Sequence, residues 1–184
     1  MTGILLELKR HPACLASAVV CLEAEAVRSS SRTLELLYRL SGAMGGLSLP
    51  PAAEPARADG LWQHTCFEAF VRASRDGPYH EFNLAPSAQW AGYGFSGYRN
   101  GMISPAMDPP HIRTRSSGDT YELRATLKLD LLPHLPGDAP WQLNLSAVIE
   151  DASGRKSYWA LSHPPGKADF HHPDCFTLEL PAPA

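Results

Sequence analysis

The sequence predicts an all-β chain, an antiparallel sandwich or barrel, and three observations carry that prediction. Segment after segment alternates apolar and polar residues with period two. Almost none shows the three-to-four spacing of an amphipathic helix. Proline, glycine and serine separate the runs at short intervals, as expected for many short strands joined by turns.

In chain order, runs at 4–9 and 16–25 read as strands. "TLELLYRL" follows, with Leu34, Leu36, Tyr38 and Leu40 on one face and Thr33, Glu35, Leu37 and Arg39 on the other. "LSLPPAAEPARADG" cannot pair centrally because its prolines lack donors, so it is a surface loop rather than a domain boundary. Strands are expected next at 65–72, 79–84 and 90–98. "TYELRATLKL" is the cleanest run, with Tyr121, Leu123, Ala125, Leu127 and Leu129 facing inward. "LDLLPHLPGDAP" has room for one helical turn. Strands at 142–150 and 156–162 enclose "EDASGRKSYW", a hairpin with Ala152, Ser153 and Gly154 in its turn, and 175–180 is the last strand.

With 184 residues the chain suits one domain, 1–184, without repeats. A chain of this size buries roughly 70% of its unfolded surface. Hydrophobic residues at 44% and charged residues at 19% place it among ordinary globular proteins. A formal charge of -3 and the absence of a basic stripe argue against nucleic-acid and membrane partners. "MTGILLELKRHPAC" lacks a basic stretch followed by a long apolar run, so a cytoplasmic location is expected. Cys14, Cys21, Cys66 and Cys175 form no C-x-x-C pair and read as free, mostly buried thiols, with a Cys66 to Cys175 bridge left open.

No G-x-S-x-G, H-E-x-x-H or P-loop occurs, and no G-x-G-x-x-G follows a strand. No catalytic residue, metal site or cofactor is therefore assigned. The densest polar segment, "SHPPGKADFHHPDC", holds His163, Asp169, His171, His172 and Asp174. A metal would need these groups to converge, yet 171 and 172 in an extended chain point to opposite sides, so a polar loop is the plainer reading.

"LWQHTCFEAFV" sets one acid in an apolar run. Period-two geometry puts Phe67, Ala69 and Val71 in the core and Glu68 on the opposite face with Cys66 and Phe70. A buried carboxylate needs a partner, either an arginine such as Arg72 or Arg99 or a bound ligand. Of four tryptophans, Trp90 and Trp159 sit within strands and read as core, whereas Trp62 and Trp141 begin strands after loops. Trp62 is the better candidate for a ligand platform, because an indole packs against the C–H face of a sugar while nearby carboxylates and amides bond its hydroxyls. In "YHEFNLAPSAQWAGYGFSGYRNGM", Asn83 ends a strand, and glycines among aromatics imply close packing by a ligand or an aromatic ring.

Three blocks, "LWQHTCFEAFV", "YHEFNLAPSAQWAGYGFSGYR" and "LSAVIEDASGRKSYWALSHPPGKADFHHPDCFTLEL", together resemble bacterial stand-alone DOMON-like proteins, grouped with family-9 carbohydrate-binding modules, over about residues 30–180. The resemblance implies a jelly-roll-like β-sandwich with a ligand site on one sheet. It implies that Trp62 and, six residues later, Glu68 contact a sugar, and that Phe170 or His171 supplies the second wall. Some DOMON relatives bind haem through methionine and histidine, for which Met102, Met107 and His171 are the available residues. The leading expectation is a non-catalytic module that binds a saccharide or polyol through Trp62, Glu68, Asn83, Phe170 and His171. A haem- or metal-binding protein and an interaction protein without a small ligand are the alternatives.

Overall fold

The computed structural model describes residues 5–15 and 18–183, with Val20 described by its backbone alone. Among these residues the strands are, in chain order, β1 (Leu6–Glu7), β2 (Lys9–Arg10), β3 (Val19–Ser30), β4 (Thr33–Gly42), β5 (Cys66–Arg72) and β6 (Tyr79–Leu84). They continue with β7 (Trp90–Phe95), β8 (His111–Ser117), β9 (Thr120–Lys128), β10 (Trp141–Glu150), β11 (Lys156–Ala160) and β12 (Leu178–Leu180). Two antiparallel sheets pack as a sandwich. One has the order β1-β3-β4-β9-β8, and the other β2-β11-β10-β5-β6-β7 with β12 also paired to β10. No helix among the described residues is long and apolar enough to cross a membrane.

Alternation in the sequence becomes the core between the sheets. Leu34, Leu36, Tyr38 and Leu40 of β4 meet Phe67, Ala69 and Val71 of β5 in one cluster, which also takes in the inward residues of β9. Tyr38 packs on Phe67 with ring centroids 5.0 Å apart, and its hydroxyl donates to the Glu68 carbonyl at 2.6 Å, joining the two layers. Trp90 and Trp159 are core residues as expected. Trp141 is too, although its place at a strand start after a loop made it the weaker of the two platform candidates. The ring is fully buried, and the guanidinium of Arg28 lies 3.6 Å from its centroid while donating to the carbonyls of Ala139 and Gly137.

Several boundaries differ for physical reasons. The expected strand starts at residues 4 and 16 lie outside the described residues. β3 runs on to Ser30 because Arg28, a residue that sequence reading places outside, is buried on its inner side. β8 carries no alternation, since "HIRTRSS" is an edge strand with mostly exposed side chains. The segment after β9 contains no helical turn. Pro133 and Pro136 remove donors, and the free carbonyls of Leu135 and Pro136 accept bonds from Arg32 and Trp141. Gly92 and Gly94 are tight partly for the reason expected. A Cβ at Gly92 would collide with Met107 Sδ and touch the Phe82 ring at 3.7 Å, and one at Gly94 would meet Ile103 at 3.3 Å and the His80 ring at 3.4 Å, so a returning chain and neighbouring rings both pack there. All four cysteines are free.

β10 decides where a site can form. One edge pairs fully with β5, while the other is shared, Trp141–Leu143 pairing with β12 and Ser146–Glu150 with β11. Between β11 and β12 the chain must leave the sheet, and residues 161–177 pass over its outer face. The expected hairpin between β10 and β11 is present, with the Asp151 carboxylate accepting from the Ser153 and Arg155 amides and Gly154 in the left-handed region at φ 81°.

Candidate functional site

The outer face of the second sheet is built by the same period that builds the core. Register sets Ser146, Glu68 and Asn83 in one row across β10, β5 and β6, and Asn144, Phe70, Glu81 and Tyr93 in the next row, which reaches β7. Glu68 is 3% exposed and Glu81 6%. Asn83 donates to Glu81 Oε1 at 2.8 Å. The Ser146 hydroxyl and the Asn144 side-chain oxygen are buried with no hydrogen bond of good geometry, although the hydroxyl lies close enough to Glu68 to favour its charged form.

Three segments turn this floor into a cleft of about 630 Å³. A single 3-10 turn, Leu61–Gln63, precedes β5 and holds Trp62, 43% exposed, edge-on to Tyr93 at 6.1 Å. The turn after β7 brings Arg99 and Met102. The arch between β11 and β12 brings Ala168, Phe170 and His171, anchored by the Asn144 amide donating to the Phe170 carbonyl at 3.0 Å. Asp169 ties the last two segments together by accepting from Arg99 at 2.7 Å, from the Tyr98 hydroxyl and from the His171 amide at 3.1 Å. Burial raises the Asp169 pKa, but the bonds from Tyr98 and Arg99 outweigh it and hold the carboxyl below its usual range.

The floor carboxyls behave in the opposite way. Burial, then the neighbouring Glu81, push Glu68 well above the carboxylate range. Burial lifts Glu81 to about 7 against the pull of the Asn83 bond and the Arg99 charge. His171 supplies no counter-charge at neutral pH, because burial and Arg99 hold its pKa down at about 4. The Arg99 amide donates to the Tyr79 hydroxyl at 3.1 Å, and that hydroxyl lies 2.8 Å from His171 Nδ1. When Tyr79 donates to Nδ1, Nε2 carries the ring proton and faces Glu81 Oε2 at 3.6 Å. The cleft floor thus holds two carboxyls that keep their protons to higher pH than an ordinary glutamate, Glu81 about half protonated near neutrality, so that they can donate as well as accept.

Comparison with solved structures then becomes informative. No protein-family model matches the sequence, and no curated protein matches it. A candidate carbohydrate-binding protein from Bacteroides uniformis has a similar structure, with a TM-score of 0.70 over 95% of this chain and 84% of that one, at 13% identity. A family 9 carbohydrate-binding module from Caldicellulosiruptor kristjanssonii, solved with cellotriose, gives a TM-score of 0.56 over 89% of this chain and 75% of that one, also at 13% identity. The chain has a carbohydrate-binding-module fold. At such identity the likeness is one of fold and assigns no residue a role.

Within that fold, Trp62, Glu68, Phe170 and His171 all line the cleft, while Asn83 lies fully buried beside it and reaches it only through Glu81. Trp62 does this from a turn, since β5 starts only at Cys66. The expected arginine partner for Glu68 is not found. Arg72 bonds to Gln142 and to the carbonyls of Arg75 and Pro173, and Arg99 bonds to Asp169, so neither guanidinium makes an ion pair with Glu68. The histidines of the last loop diverge: His163 bonds to the Lys9 carbonyl, His171 enters the cleft, and His172 caps the Pro173–Cys175 turn. Among the described residues no group of three histidine, cysteine or acidic side chains is placed to hold a metal. Met102 borders the cleft with His171, but Met107 packs away from it under Gly92.

Sequence reading missed Tyr93, Lys156 and Tyr158 as lining residues, and it weighed Glu81 only as a carboxylate partner of Glu68 for hydrolysis, the least favoured reading. Glu81 had a signal, a second acid in a strand between His80 and Phe82. Tyr158 had only its place in the alternation of β11, and Lys156 none.

Proposed function

We propose that this chain is a non-catalytic module that binds a saccharide in the cleft on the outer face of its second sheet. One observation carries the reading: an exposed indole, Trp62, and two buried carboxyls without an arginine or lysine ion pair, Glu68 and Glu81, border the same cleft. Sugars present apolar C–H faces and hydroxyls that both donate and accept. An aromatic plane beside protonated or shared carboxyls meets both needs. The volume falls within the range of small-ligand sites. Carbohydrate binding by the proteins that share the fold supports a binding role over hydrolysis. The DOMON-like resemblance seen in the three sequence blocks fits the same reading, in which residues 1–184 act as one module.

Phe170 and Tyr158 are the second wall in this reading. Phe170 is mostly covered and packs edge-on to Tyr158 at 6.1 Å, so Tyr158 shares with it the role that the resemblance gave to a single aromatic. Calorimetric titration against a glycan panel that includes cell-wall fragments tests the proposal. Saccharide binding at millimolar concentration or tighter is expected, and Trp62→Ala weakens it at least about tenfold, the loss of one stacking contact. No binding across the panel, or binding untouched by Trp62→Ala, overturns it.

A further inference from the structure

The cleft does not end at Tyr158. A second cavity of about 550 Å³ begins there, sharing Lys156, Tyr158 and Ala168 with the first and continuing between residues 11–15, the β10–β11 hairpin and residues 166–168. Its position follows from the topology. β2 pairs with β11 through Arg10 and Lys9, so the chain after β2 runs beside β11, and the His11 amide donates to the Tyr158 carbonyl at 2.8 Å.

The ionisable groups on this second cavity are of the opposite kind to those on the floor of the first, bases where the floor has acids. Its one lining acid, Asp151, accepts from the Ser153 amide and hydroxyl and from the Arg155 amide, and is paired with the Arg155 guanidinium at 2.9 Å. That carboxylate is therefore matched within its own turn. His11 accepts from the Ala13 amide through Nδ1 and packs against His163. Lys156 and Lys167 are exposed and line the cavity, and neither side-chain ammonium makes an ion pair or hydrogen bond among the described residues. The nearest acid in sequence, Asp169, is already held by Arg99 and Tyr98. Two free ammonium groups stand over a concavity in a chain whose overall formal charge is -3.

We infer that the two cavities form one groove for an acidic oligosaccharide, with a neutral sugar unit between Trp62 and the floor carboxyls and a carboxylate-bearing unit beyond Tyr158, over Lys156 and Lys167. This rests on the saccharide reading above and adds the ligand class and its direction along the groove. Tyr158 lies at the junction and is available to pack against the link between units. Lys156, which borders both cavities, faces the junction, and Lys167 belongs to the second alone.

The test is calorimetry of the full chain with a neutral gluco-disaccharide and with the same disaccharide carrying a uronic acid in place of one terminal hexose. At low salt the acidic sugar binds roughly tenfold more tightly, the gain that two exposed ion pairs supply, and the preference shrinks as salt is raised. Lys167→Glu removes the preference, the acidic sugar losing far more affinity than the neutral one. Its exposed position keeps folding out of the result, and an unchanged melting temperature confirms that. If the neutral sugar binds and the acidic one binds no better, or if Lys167→Glu keeps the preference, the acidic-ligand inference fails while saccharide binding stands. If neither sugar binds, both readings fall.

Discussion

The two outer faces of the sandwich carry acids in opposite circumstances. On the five-stranded sheet, Glu122 accepts from Arg39 at 2.9 Å and lies 3.6 Å from Arg124, and the Arg39 bond holds its carboxyl below the usual range. These are partly exposed side chains that satisfy one another. On the seven-stranded sheet, Glu68 and Glu81 are buried, adjacent in register rows, and left without an arginine or lysine ion pair, although Arg72 follows Glu68 in the same strand and Arg99 lines the same cleft. The first face is what solvent requires of a sheet. The second holds polar groups at an energetic cost to the fold, a cost that the proposed ligand would offset.

The sharpest way to break this contrast is to neutralise one floor carboxyl. Glu81 titrates near 7 in the folded protein against an ordinary value of 4.5, so the folded state keeps its proton longer than the unfolded chain does. Stability from this group is therefore complete below about pH 4.5 and is lost as pH rises toward about 7, by up to about 3 kcal/mol. Glu81→Gln, which still accepts from Asn83, should raise stability by up to about 3 kcal/mol near pH 8 and leave it nearly unchanged near pH 4. Urea unfolding at both pH values reads the difference, and a Gln variant less stable than the parent near pH 8 would contradict it. His171 acts in the other direction. Its folded pKa of about 4 lies below the usual 6.5, so its contribution is lost as pH falls through that interval.

A smaller effect is expected at the clasp over the cleft. Asp169→Ala removes the acceptor shared by Tyr98, Arg99 and the His171 amide. Stability should fall by about 2 kcal/mol, and amide exchange should quicken in residues 96–102 and 168–172 before it does in β5. Uniform exchange across both sheets would show that these segments do not open independently. Smaller still, Trp62→Ala should change stability by less than about 0.5 kcal/mol because that residue is exposed outside the core and touches Tyr93 only edge-on, while removing ligand affinity. On the opposite sheet, Arg39→Ala should cost less than about 1 kcal/mol and less again in high salt. A loss there as large as at Asp169 would erase the distinction between the faces.

Much of the sandwich is legible in the sequence because period two is its only structural rule. β6 matches the expected residues 79–84, and the inward sets of β4 and β9 are those that alternation picks out. The face of Glu68 is legible for the same reason. Less can be read where tertiary contacts set the structure. Arg28 is buried by an aromatic ring and carbonyls more than a hundred positions away, and β8 is a strand only because β9 pairs with it. The candidate site is half legible. Its floor follows from register once a strand is assigned, but its walls come from turns whose positions over the sheet depend on bonds such as those to Asp169. Only the structure shows that the arginines near Glu68 are committed elsewhere.

The most direct measurement is a nuclear magnetic resonance titration of the glutamate carboxyl carbons and tryptophan indoles, with and without a saccharide found to bind. The expected result is that Glu68 and Glu81 titrate well above the other glutamates, and that the sugar produces saturable shifts at these two carboxyls and at the Trp62 indole while Trp90, Trp141 and Trp159 stay fixed. Glutamates that all titrate together in the ordinary range, or a sugar that moves any indole except that of Trp62, would contradict the assignment of the outer face as the binding face.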